Sequence, residues 1–114
     1  MEIKPFPRPD WSPLPEKEGI RGVEGQVLLV DRRAVVATLR FSEHAQTDVH
    51  PADHDIHVLV LEGSGFSFCG GETEPVDAGQ SVLWPKGTPH NLFTRDSTMT
   101  TLMVEHVGRL PGRD

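Results

Sequence analysis

From Ile20 onward the chain alternates short apolar runs with clusters of turn-forming residues. The runs are rich in Val, Leu, Phe and Thr. They predict strands over Gly25–Val30, Ala34–Phe41, Ile56–Leu61, Gly65–Cys69, Ser81–Trp84, His90–Phe93 and Met99–His106. Asp31-Arg32, Glu62-Gly63-Ser64-Gly65, Gly70-Gly71, Asp77-Ala78-Gly79, Pro85-Lys86-Gly87 and Arg95-Asp96-Ser97 mark the turns between them. Gly70-Gly71 reads as a tight hairpin, because glycine supplies the positive φ such turns need. No stretch sustains a helical period between a cap and a stop. Closely spaced strands with no helix to cover a face must close into a barrel or stack as a sandwich, so the chain reads as all-β.

The first eighteen residues differ, holding five of the ten prolines. Fixed φ and missing N–H donors predict an extended Pro-rich arm over residues 1–18, followed by one barrel domain over residues 19–114. Phe6 and Trp11 would be wasted on a free tail, so the arm is expected to pack on a surface of its own subunit or of a partner.

Charge then narrows the function. Seventeen acids against eleven bases give a net charge of −6, which argues against a nucleic-acid partner. No apolar run reaches the length of a membrane span, and Met1–Pro15 does not read as a signal peptide. With a single cysteine, Cys69, the chain forms no internal disulfide and no multi-cysteine zinc site. These features together point to the cytoplasm. The acids are unevenly placed: between Arg40 and Lys86 there are eight and no Lys or Arg. The same block opens with His44, His50, His54 and His57, four of the six histidines. Either this is a solvated polar loop or it is a cation site, since neutral imidazole and carboxylate are the usual protein ligands.

Residues Gly79 to His90 read G-Q-S-V-L-W-P-K-G-T-P-H. The spacing of Gly79, Pro85, Gly87 and His90 resembles the second conserved motif of the cupin superfamily, with Thr94 where that motif ends in Asn. Val49–Gly65 resembles the first motif, and Gly65–Glu72 the hairpin between the two. The resemblance spans about Arg40 to Val107. It implies an antiparallel jelly-roll barrel, with a metal held by two His in an H-x-H pattern, a Glu and the final His. It also implies a small-molecule ligand and, with the proline arm, a homodimer. In that register His50 and His90 fall on the first and last His, while Ala52 and Ile56 occupy the second His and the Glu positions.

His50 and His54 share a parity, but four residues of flat strand would hold them roughly 13 Å apart. A break at Pro51-Ala52-Asp53 would bring them together. The expected ligand set is therefore His50, His54 and His90, with His57 in reserve behind a bulge. Such a set suits Fe, Ni, Zn, Cu or Mn. His44 and His106 read as exposed strand-end residues. Asp48 is read as either a group orienting an imidazole or a solvated acid. Glu43 and Asp53 are alternatives for the missing Glu. Phe66, Phe68, Trp84 and Phe93 are expected to line the pocket. Arg40 reads as a carboxylate clamp or a surface residue, and Cys69 as an inert core thiol. Two functions stay open. One is a metal-dependent enzyme of dioxygenase or isomerase type acting on a small organic molecule. The other is a non-enzymatic binding or sensing barrel with a degenerate metal site.

Overall fold

A computed structural model describes residues 1–7, 10–16 and 19–108. These residues contain no helix and nine strands: β1 (Ser12–Pro13), β2 (Arg21–Val30), β3 (Val35–Gln46), β4 (His50–Pro51), β5 (Asp55–Cys69), β6 (Glu72–Asp77), β7 (Ser81–Trp84), β8 (Pro89–Phe93) and β9 (Met99–His106). All pairings are antiparallel, in the order β1-β2-β3-β9-β5-β8-β4, with β6 and β7 also on β5. The pairing of Gln46 on β3 with Phe93 on β8 closes the sheet into a barrel. Its core gathers Val23, Phe41, Val58, Val60, Val76, Trp84, Leu92 and Met99. The arm contributes one short strand, β1, paired to β2 through Ser12–Gly25 and Pro13–Glu24. Trp11 lies over the Arg40 guanidinium at 4.4 Å, while Phe6 stays exposed.

Two expected boundaries are corrected. The predicted turn at Glu62–Gly65 does not end a strand; β5 runs unbroken for 15 residues through a bulge between Val60 and Glu62. Gly63 is what permits this. Its φ is +75°, and a Cβ there would stand 2.0 Å from the Thr98 carbonyl oxygen. The bulge also changes which parity faces inward. Before it Ile56, Val58 and Val60 point to the core; after it Gly65, Ser67 and Cys69 do. The second correction is β6, where the sequence pattern assigns no strand between the turns at Gly70-Gly71 and Asp77-Ala78-Gly79. Only Val76 of that strand is buried, so its hydrophobic signature is a single residue.

Thr94, standing where the family motif has Asn, has a structural task. Its hydroxyl accepts from the Ala45 N–H at 3.0 Å and donates to the Ser42 carbonyl. That anchors the irregular stretch of β3 at His44, whose φ is +55°.

Candidate functional site

The motif-two turn delivers His90 to the barrel interior. Pro85 and Gly87 reverse the chain after β7, the Gly87 N–H donates to the Ala52 carbonyl, and β8 then pairs with β4. That register sets His50 directly opposite His90, with ring centroids 4.9 Å apart in an edge-on arrangement. On its other side His90 faces Cys69 of β5, so Cys69, His90 and His50 form one row across three strands. Trp84 lies against His90 face to face, 4.0 Å between centroids, and its indole N–H donates to Ser67 Oγ at 3.0 Å.

The tautomers follow from the partners. His90 Nδ1–H donates to the Thr88 carbonyl at 3.1 Å, and His50 Nδ1–H donates to the Asp48 carbonyl at 3.3 Å. Each neutral ring therefore keeps its lone pair on Nε2. His90 is only 2% exposed, and burial pushes its pKa below the ordinary value. The Thr88 hydrogen bond opposes this, His50 adds to it, and Asp48 opposes it least. Cys69 is held as the thiol, because burial and then Glu72 raise its pKa.

Not all the expected ligands meet. His50 and His90 come together, but His54 turns to Glu105 of β9, with Nδ1 2.9 Å from Oε2. His57 hydrogen-bonds to His106, also on β9, at 2.7 Å. The break at Pro51–Asp53 forms, yet it starts β5 rather than folding His54 back. Glu43 and Asp53 are exposed, and Ala52 is buried without a donor group. Ile56, at the family's Glu position, pairs with Trp84. Among the described residues no group of three or more His, Cys, Asp or Glu is arranged to hold a metal ion. The family's four-ligand set does not fit these residues: one carboxylate and one imidazole are replaced by apolar side chains.

The expected pocket aromatics also divide. Trp84 faces the histidines. Phe66 stacks on Phe93 at 5.1 Å, on the face opposite Ser67 and Leu92, with Arg95 over Phe66. The bulge in β5 put Phe66 and Phe68 there. Arg40 is ion-paired to Glu24 at 2.8 Å. A cleft of about 540 Å³ lies away from the histidines, where Leu14 of the arm meets Val23, Phe41 and Met99. Sequence reading missed Ser67 and Glu105 as partners; Glu105 follows from the register of β5 against β9, and Ser67 from the inward-facing parity of β5 after its bulge.

The Cupin domain family profile matches residues 35–105. No curated protein matches the chain. Among solved structures it is similar to the polyketide cyclase RemF from Streptomyces resistomycificus, at 26% identity over 99% of this chain and 85% of that one, with a TM-score of 0.80. An RmlC-like cupin from Shewanella frigidimarina NCIMB 400 shares 19% identity over 88% of this chain and 85% of that one, with a TM-score of 0.76. A cupin-like protein from Thermotoga maritima shares 18% over 86% and 79%, with a TM-score of 0.78. With more than half its length inside the matched profile and the closed antiparallel barrel in place, the chain belongs to the cupin family.

Proposed function

We propose that the chain acts on a small, uncharged, enolisable carbonyl compound, with the His50–His90 pair as its proton-handling centre. One observation carries the reading: two facing imidazoles have their Nδ1–H groups tied to backbone carbonyls, leaving two Nε2 lone pairs as acceptors. A neutral, buried His90 is a suitable base for a C–H flanked by two carbonyls. The proton goes to His90 Nε2, the enolate carbon attacks a second carbonyl, and the new alkoxide takes the proton back from the imidazolium. Carbon–carbon bond formation of this kind is consistent with the likeness to a polyketide cyclase. The same lone pairs support a second reading, a divalent ion held by two imidazoles and completed by water or substrate.

Deuterium exchange at the central carbon of a β-diketone, followed by NMR with chelator-treated protein, tests the first reading. Wild type is expected to accelerate exchange over an equal concentration of free imidazole, and His90→Asn to abolish the acceleration. Exchange no faster than free imidazole overturns it. Acceleration that appears only after a divalent ion is added supports the second reading. Ligand-induced shifts without exchange would mark a binding barrel.

A further inference from the structure

The outward face of β5 and β9 carries a second histidine pair, which shares no residue with the His50–His90 pair. His57 stands between Ile56 and Val58, both turned to the core, so its own side chain points outward. The β5–β9 register pairs His57 with Val104 and Asp55 with His106, which puts all four on that face. The two rings meet diagonally across the ladder. His57 Nδ1 lies 2.7 Å from His106 Nε2, with the ring planes at 85° and the centroids 4.9 Å apart. One hydrogen serves two nitrogens here: one ring donates and the other accepts.

Those spacings are close to what a shared metal ion requires. Adjacent imidazoles on a square-planar ion, with metal–nitrogen bonds of ~2.0 Å, put their nitrogens ~2.8 Å apart, and on a tetrahedral ion ~3.3 Å apart. With each centroid ~1.2 Å behind its nitrogen, the centroids stand ~4.5 Å apart about the first ion and ~5.2 Å about the second. The observed 4.9 Å falls between these values. Each ring has then to tilt rather than travel, and χ2 of His is a soft torsion. The backbone beneath is fixed, because β9 lies between β3 and β5, and β5 is paired along its length. The ladder positions around the pair, Val104, Leu102, Leu59, Leu83 and Asp55, hold no cation, and Asp55 adds a negative charge opposite His106.

We propose that His57 and His106 form a divalent-metal site on the outer barrel wall, taking Cu(II) above other first-row ions, with water in the remaining positions. Cu(II) accepts adjacent imidazoles in a tetragonal plane and heads the affinity order for nitrogen donors. Co(II) stands well below it in that order, so two imidazoles hold that ion far more weakly. The hydrogen now shared moves to the far nitrogen of the ring that donated it, and both rings bind as neutral imidazoles.

Paramagnetic broadening of amide NMR signals by Cu(II), with the chelator-treated full chain in an amine-free buffer, tests the proposal. One equivalent is expected to erase signals around His57, Leu83 and His106, the positions that flank the pair on β5, β7 and β9. His57→Gln and His106→Gln should each weaken copper binding there by ~10-fold or more, the loss that follows when even an outer partner of a metal ligand is removed. Far-ultraviolet circular dichroism should not change, since both rings are only partly buried. Copper that broadens only the amino terminus, His44 or the Cys69–His90–His50 row overturns the proposal. So does outer-wall binding that either glutamine leaves undiminished. If a glutamine loosens the sheet, electron paramagnetic resonance of the wild-type copper complex decides. Hyperfine structure from two nitrogens supports the pair, and from one overturns it.

Discussion

Acidification should destabilise the fold through His90. Burial against Trp84 holds this ring's pKa below the ordinary 6.5, so the folded state releases its proton sooner than the unfolded chain does. Above that value both states are neutral and pH has no effect through this residue. Below it the unfolded state gains a proton that the folded state refuses, and stability falls by up to ~1.4 kcal/mol per pH unit. The loss stops only when pH passes the folded pKa. Lowering pH from about 7.5 to about 5.5 crosses roughly one unit of that window, so at most ~1.4 kcal/mol is lost. In a domain of this size that is roughly 4–8 °C in Tm. Other groups titrate over the same interval, so the assay is a difference between urea-unfolding series of wild type and His90→Asn. Asparagine can keep a donor toward the Thr88 carbonyl and has no titration. The stability gap between the two proteins should shift toward the variant as pH falls. A gap constant across the interval would refute the reasoning, because burial would then not be setting the proton affinity of His90.

Two further outcomes follow from backbone and ligand geometry. Gly63→Ala should cost at least ~2 kcal/mol in urea unfolding, since positive φ and the Thr98 carbonyl leave its methyl no room; a loss below ~0.5 kcal/mol would show that the bulge can relax. Ala52→His with Ile56→Glu restores the two family ligand positions. This double variant should melt lower than wild type in chelator, by ~1–3 kcal/mol for a half-buried carboxylate beside Trp84, and recover in Co(II) through a Tm rise that wild type lacks. Equal Tm shifts in both proteins would show that the native pair already holds the ion as firmly.

The barrel was legible in the sequence wherever a strand has one buried face and ends at a turn. Ser81–Trp84 and Met99–His106 were read with the bounds the structure has, and the Gly70-Gly71 turn with its positive φ. His50 and His90 were legible as a pair through motif spacing alone. The errors share one cause. Glu62-Gly63-Ser64-Gly65 has the composition of a turn, but the Thr98 carbonyl packs where the Gly63 side chain would be, and the glycine serves a bulge instead. Phe66 and Phe68 share one face of their strand, but which face turns inward is set by the bulge, and it is the Ser67 face that meets Trp84. His54 depends likewise on a tertiary fact, the position of Glu105 opposite Ile56, which local pattern does not carry.

The acidic block shows how placement decides the effect of charge. Eight acids without a base between Arg40 and Lys86 predict a field favouring a cation at the histidines. In the fold Glu43, Asp53, Glu62, Glu72, Glu74 and Asp77 are exposed, where water and salt screen them. Asp55 is turned to the motif-two loop, accepting from the Lys86 N–H at 2.8 Å. Asp48 approaches His50, with 3.6 Å between Oδ1 and Nδ1, yet its pull on His90 is weaker than the push of burial. The barrel interior therefore sets the protonation of His90, and it sets it toward the neutral base. On the proposed reading, a site governed by desolvation suits an uncharged ligand with a removable proton. That preference comes from Ile56, the apolar group where the family has a carboxylate, and from Trp84, stacked on His90.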